Sequence, residues 1–301
     1  RAIGDFRRPL YFLMAASLCN IVLDLLLVVV FHMGVAGVAW ATIMAQAVSG
    51  VLCLIRLVRM RDTVDINRRT LRLNGQLCRR LTALGLPAGI TQAIFSLSAI
   101  VVQSLTNSLG TAVIATSVAV MRVDGFAMMP NFTFGTATTT FTGQNIGAGR
   151  LDRVEKGTKD GLKLGLSVSV VLVALILFFG RYLMEMFTST PEVIDTGMHM
   201  MRILAIGYIA MAVTQILSGV MRGAGDTMTP MWISLITTIV IRVPIAYGLA
   251  ALMHSADALF ISLLISWVMG AVLTSIAFRM GRWKKKSIIN DDVPEPADVQ
   301  V

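Results

Sequence analysis

The chain has 301 residues, of which 55% are hydrophobic and only 14% charged, and its mean hydropathy is +0.75. Soluble domains carry about a quarter charged residues, so this composition excludes a water-facing globular surface. The net charge of +9 does not point to nucleic acid, because the cations sit in separated clusters between apolar runs.

Eight apolar stretches follow one another, at residues 10–31, 35–55, 82–109, 111–142, 160–180, 198–221, 229–252 and 256–279. Each reaches the about 20 residues that cross a bilayer as a helix. Lipid offers no partner to a free backbone group, so helices are the expected form. The fold class read here is an all-α polytopic membrane protein.

Basic residues gather at Arg1, Arg7 and Arg8, then as eight arginines between Arg56 and Arg80, then from Arg150 to Lys163, and last from Arg279 to Lys286. The alternate loops near Gly34, Gly110 and His254 carry no Lys or Arg, and the loop near Arg181 carries one. This asymmetry predicts a multi-pass protein of the inner (plasma) membrane with its C-terminus in the cytoplasm. Cys19, Cys53 and Cys78 show no metal-ligand spacing and no disulfide framework. No His/Cys/Glu cluster suggests catalysis, so neither an enzyme nor a metal site is expected.

A repeat organises the chain. The pattern R-x-x-G-D-x-x-x-P occurs from Arg1 to Pro9 and again from Arg222 to Pro230, an offset of 221. Both prolines open an apolar span, where proline at the first turn is tolerated. Four spans precede the second copy and none precedes the first, so a duplicated parent would have twelve spans in two six-helix bundles. On this reading residues 1–59 are the last two helices of the first bundle and residues 60–80 a cytoplasmic inter-bundle loop. Residues 81–281 form the second bundle, and 282–301 are a cytoplasmic tail. Parallel repeats of this kind are a transporter architecture.

Several motifs carry a family resemblance. The R-x-x-G-D-x-x-x-P pattern, Asn20 to Asp24 and Gly34 to Thr42 resemble the fifth and sixth helices of the MATE (multidrug and toxic compound extrusion) family. Gly85-Leu-Pro87 resembles the start of the seventh helix. Arg122-Val-Asp124 through Pro130 to Gly149 resembles the eighth, and Arg222 to Asp226 the end of the tenth. The resemblance implies two bundles around a cleft and export of organic, often cationic, compounds against protons or sodium ions. It implies no other cofactor.

An ionisable group inside a span costs about 2.5–3.5 kcal/mol on insertion scales and calls for a reason. Asp24 lies fifteen residues past Pro9, about 22 Å along a helix, and Asn20 is one turn earlier on the same face. By resemblance, Asn20, Asp24 and Thr42 match three members of a cation-coupling set whose fourth is a first-helix aspartate. The alternative is that Asp24 only holds the bundle together. Adding 221 takes the three to Ile241, Ile245 and Leu263, so the second bundle has no copy. Another branch of the family carries second-bundle carboxylates, and their positions are Phe95 and Met211 here.

The second bundle holds Arg122, Asp124 and Arg242 at depth, with Gln103 and Asn107 as candidate neighbours for a polar network or a substrate site. Arg202, nearer the outer surface, is expected to snorkel. Pro130 and Pro244 are expected to kink their helices. The function expected is a secondary antiporter, a monomer in membrane lipid, moving a small organic molecule with no nucleic-acid partner. A flippase for lipid-linked oligosaccharides and a non-transporting membrane protein are the alternatives.

Overall fold

The computed structural model describes residue 5 and residues 7–59, 74–253 and 255–286. Residues 60–73 of the expected inter-bundle loop, the tail beyond residue 286, and most of the first repeat motif lie outside the described residues. Among the described residues there is no strand, and eight helices are long and apolar enough to cross a membrane.

The chain falls into two compact units, one running to Arg79 and the other from Arg80. In the first, α1 (Arg7–Asp24) widens into a π-helical turn over Leu25–Val30 and is followed by α2 (Gly34–Arg59). Their interface is made of small residues. Gly37, Ala41 and Ala45 recur every fourth position on α2 and are buried, as is Ala16 of α1. Small residues let helix backbones approach closely where lipid removes the hydrophobic drive. A Cβ at Gly37 would lie 3.2 Å from the Leu27 carbonyl carbon.

The second unit contains α3 (Gly75–Ser108) from Arg80 onward, α4 (Thr111–Gly147), α5 (Leu151–Glu185) and α6 (Pro191–Gly223). Next come α7 (Met228–Leu235), a π-helical turn over Ile236–Ile241 and α8 (Arg242–Met253), which make one span. The unit ends with α9 (Asp257–Arg279) and a short 3₁₀ turn, Arg282–Lys286. Helix α6 is the hub: α4, α5 and α9 all pack on it, and it is the span with the largest share of buried residues. It crosses α4 at near backbone contact. A Cβ on Gly219 would collide with the Gly135 carbonyl and the Thr138 hydroxyl, and one on Gly223 would sit 2.8 Å from Thr142 Cβ.

Three helices start well before their apolar stretches, α3 at Gly75 rather than 82, α5 at Leu151 rather than 160 and α6 at Pro191 rather than 198. The added turns hold Arg79, Arg80, Lys156 and Lys159, good helix formers that hydropathy does not register. Asn74 caps α3, its Oδ1 accepting from the N–H groups of Gln76 (3.0 Å) and Leu77 (3.3 Å).

The repeat is visible in the geometry. Helix α1 starts at Arg7 and α7 at Met228, again 221 apart. In both copies the motif aspartate accepts from the backbone N–H three residues on, Asp5 from Arg8 (3.3 Å) and Asp226 from Thr229 (3.2 Å). The copies differ in where the helix widens. In the first, the π-helical turn follows Asp24; in the second, it precedes Arg242. Pro244 accounts for the second case, because it has no N–H for the carbonyl one turn back. Pro130 lies inside the continuous α4.

Candidate functional site

Asn20 and Asp24 stand one turn apart on α1, with Asp24 the last residue before the π-helical turn. Asn20 Nδ2 and Asp24 Oδ1 are both secluded from solvent, and neither has a hydrogen-bond partner among the described residues. A secluded polar atom left unpaired costs about 1–3 kcal/mol. Widened helical turns recur at functional sites. A carboxylate beside an amide suits a proton or a hard cation, which favours oxygen ligands. Thr42 is exposed, and its hydroxyl donates to the Val38 carbonyl of its own helix (2.9 Å). No hydrogen bond joins Thr42 to Asp24 among the described residues.

In the second unit the structure pairs the sequence candidates differently from the expected network. Gln103 donates to Asn107 on its own helix (2.9 Å), and both are exposed. They are one turn apart on one face, so each takes the other in place of Asp124. Arg122 lies over the Phe187 ring, 5.7 Å from its centroid. Arg242 leaves its Nε secluded without a partner. Arg202 is exposed.

Asp124 is instead bonded by the Tyr208 hydroxyl of α6. The Tyr208 backbone carbonyl accepts from Asn131 Nδ2 (3.2 Å), and the Asn131 side-chain Oδ1 accepts from the Ser169 hydroxyl of α5 (2.9 Å). Asn131, Ser169 and Tyr208 are all almost fully buried. One polar chain thus fastens α4, α5 and α6, and the Tyr208 ring rests against Trp267 of α9 at 5.8 Å. Asn131, Ser169 and Tyr208 escape the sequence reading. Asn131 could have been flagged as a polar side chain inside a span, but nothing in the sequence marks Tyr208 as the partner of Asp124.

A second feature is a cavity of about 50 Å³ among α3, α6, the α7–α8 span and α9. Phe95 and Met211, the positions that hold carboxylates in another branch by resemblance, both line it. Thr91, Thr214, Thr237 and Ser266 line it too, but their hydrogens go to the carbonyls of Pro87 (2.8 Å), Ala210 (3.1 Å), Ile233 (2.8 Å) and Thr237 (2.9 Å). Its charged lining residue is Arg222. Among the described residues, no group of three or more His, Cys, Asp or Glu could hold a metal ion.

Comparison with known proteins agrees with this architecture. The chain is 29% identical over 292 residues to the probable multidrug resistance protein YpnP of Bacillus subtilis (strain 168), covering 97% of this chain and 65% of that protein. It is 24% identical over 294 residues to the probable multidrug resistance protein NorM of Thermotoga maritima, covering 96% and 63%. The fold matches the outward-facing conformation of a multidrug resistance MATE family transporter of the MOP superfamily. That match has a TM-score of 0.87 at 23% identity and covers 94% of this chain and 64% of the other. The chain therefore spans less than two thirds of the length of these relatives. The pattern of the MatE family matches residues 87–248, more than half of the sequence, and the chain belongs to that family.

Proposed function

We propose that the protein carrying this chain is a secondary active exporter of small organic compounds, driven by inward movement of protons or sodium ions. Asp24 is the coupling carboxylate, with Asn20 beside it and Thr42 on the next helix. The observation that carries this reading is a carboxylate and an amide, Asp24 and Asn20, one turn apart at the edge of a widened helical turn inside an apolar span. The relatives named as probable multidrug resistance proteins support export as the direction and organic compounds as the cargo. The placement of the basic clusters supports an inner-membrane protein with a cytoplasmic C-terminus.

The test is efflux of a fluorescent organic cation from vesicles containing the full-length protein, under a proton gradient and a sodium gradient imposed separately. Wild type should follow one gradient and Asp24→Asn neither, with the variant still folded in the membrane. Gradient-driven efflux by Asp24→Asn at the wild-type rate would remove Asp24 from the coupling step.

A further inference from the structure

The second unit's cavity carries an inference about cargo chemistry. Gln215, Ser218 and Arg222 lie at i, i+3 and i+7 on α6, hence on one face of the helix, and all three line the cavity. No hydrogen bond or ion pair joins their side chains to another described residue. The carboxylate nearest Arg222 in sequence, Asp226, is turned to Thr229, whose N–H and hydroxyl it accepts at 3.2 and 2.7 Å. The cavity lining contains no carboxylate, and Phe95 and Met211 close part of it with apolar surface.

Free donors with a guanidinium, and no competing anion, are the requirements of an oxyanion site. The arginine fork matches a carboxylate or phosphate through two parallel N–H groups. A water needs about 10–15 Å³ of such space, so 50 Å³ takes a group the size of a carboxylate or phosphate. We propose that this cavity binds a single oxyanion, a carboxylate or phosphate, through Arg222, Gln215 and Ser218. The oxyanion belongs either to the exported compound or to a free inorganic anion. In the first case, which rests on the exporter reading above, the protein accepts anionic or zwitterionic compounds as well as cations.

The experiment is equilibrium binding of radiolabelled inorganic phosphate to the purified full-length protein at constant ionic strength. Binding should be saturable and weaken by about tenfold or more in Arg222→Gln, the loss expected when a charge-assisted pair is removed, with Arg222→Lys in between. Gln215→Leu should weaken it by a smaller factor, which keeps the test alive if Arg222→Gln does not fold. A second arm adds a carboxylate-bearing fluorescent dye. Dye that displaces phosphate and is exported identifies the oxyanion as cargo, and phosphate that binds without competing with dye identifies it as free anion. Absence of saturable phosphate binding to a wild type that still exports an organic cation overturns the inference and leaves the exporter reading intact. Phosphate binding unchanged in both Arg222→Gln and Gln215→Leu overturns it as well. A wild type that binds phosphate but exports nothing overturns only the exporter reading.

Discussion

The Tyr208 hydroxyl of α6 bonds the Asp124 carboxylate of α4, and the same tyrosine's carbonyl takes the Asn131 amide seven residues further along α4. One residue thereby fastens two levels of the most intimate helix pair in the second unit. Tyr208→Phe keeps the ring against Trp267 but leaves Asp124 without its donor. The expected loss is about 1–3 kcal/mol, the penalty for an unmade bond to a secluded group. Asp124→Asn, which retains an acceptor for the hydroxyl, should lose less. Thermal unfolding of the full-length protein in detergent reads both, and equal melting temperatures for wild type and Tyr208→Phe would show the bond to be idle.

The α4–α6 crossing depends on absent side chains. Gly219→Ala places a methyl against the Gly135 carbonyl and the Thr138 hydroxyl, where backbone must move. Overpacking of this kind costs about 1–3 kcal/mol. Gly161→Ala, whose Cβ would meet Thr138 Cγ2 at an ordinary 3.6 Å, is the matched control and should melt like wild type.

Asp226 is 2% exposed and caps α7 through the Thr229 N–H. Removing a capping side chain costs about 1 kcal/mol, so Asp226→Ala should lower the melting temperature measurably. Asp5→Ala, at the more exposed end of α1, should lower it less. An equal effect at both sites would mean that burial adds nothing to the cap.

Trp283 anchors the 3₁₀ turn that follows α9. It is 1% exposed, stacks on Phe278 at 5.1 Å, and donates its indole N–H to the Phe278 carbonyl (3.0 Å). Trp283→Ala should destabilise the second unit by about 3–5 kcal/mol, as large-to-small changes in packed sites do. Faster tryptic cleavage at Lys284 would report the loosened turn, and an unchanged cleavage rate would count against the anchor.

Much of this was legible in the residues. Apolar run length and the spacing of cationic clusters dictated eight spans, because a bilayer has a defined thickness and water is absent inside it. The 221-residue repeat anticipated that α1 and α7 would start at equivalent positions, since a local turn is encoded by its own few residues. The proximity of Asn20 and Asp24 also follows from local sequence, because the two share a helix face. Side-chain partners across helices were another matter. Asp124 meets Tyr208 and not Gln103 or Asn107, and Arg222 shares a cavity with Phe95 and Met211. Those relations depend on the rotation and crossing height of each helix. Crossing height is set by close approach at Gly135, Gly219 and Gly223, which a hydropathy pattern does not encode, so only the tertiary structure decided them.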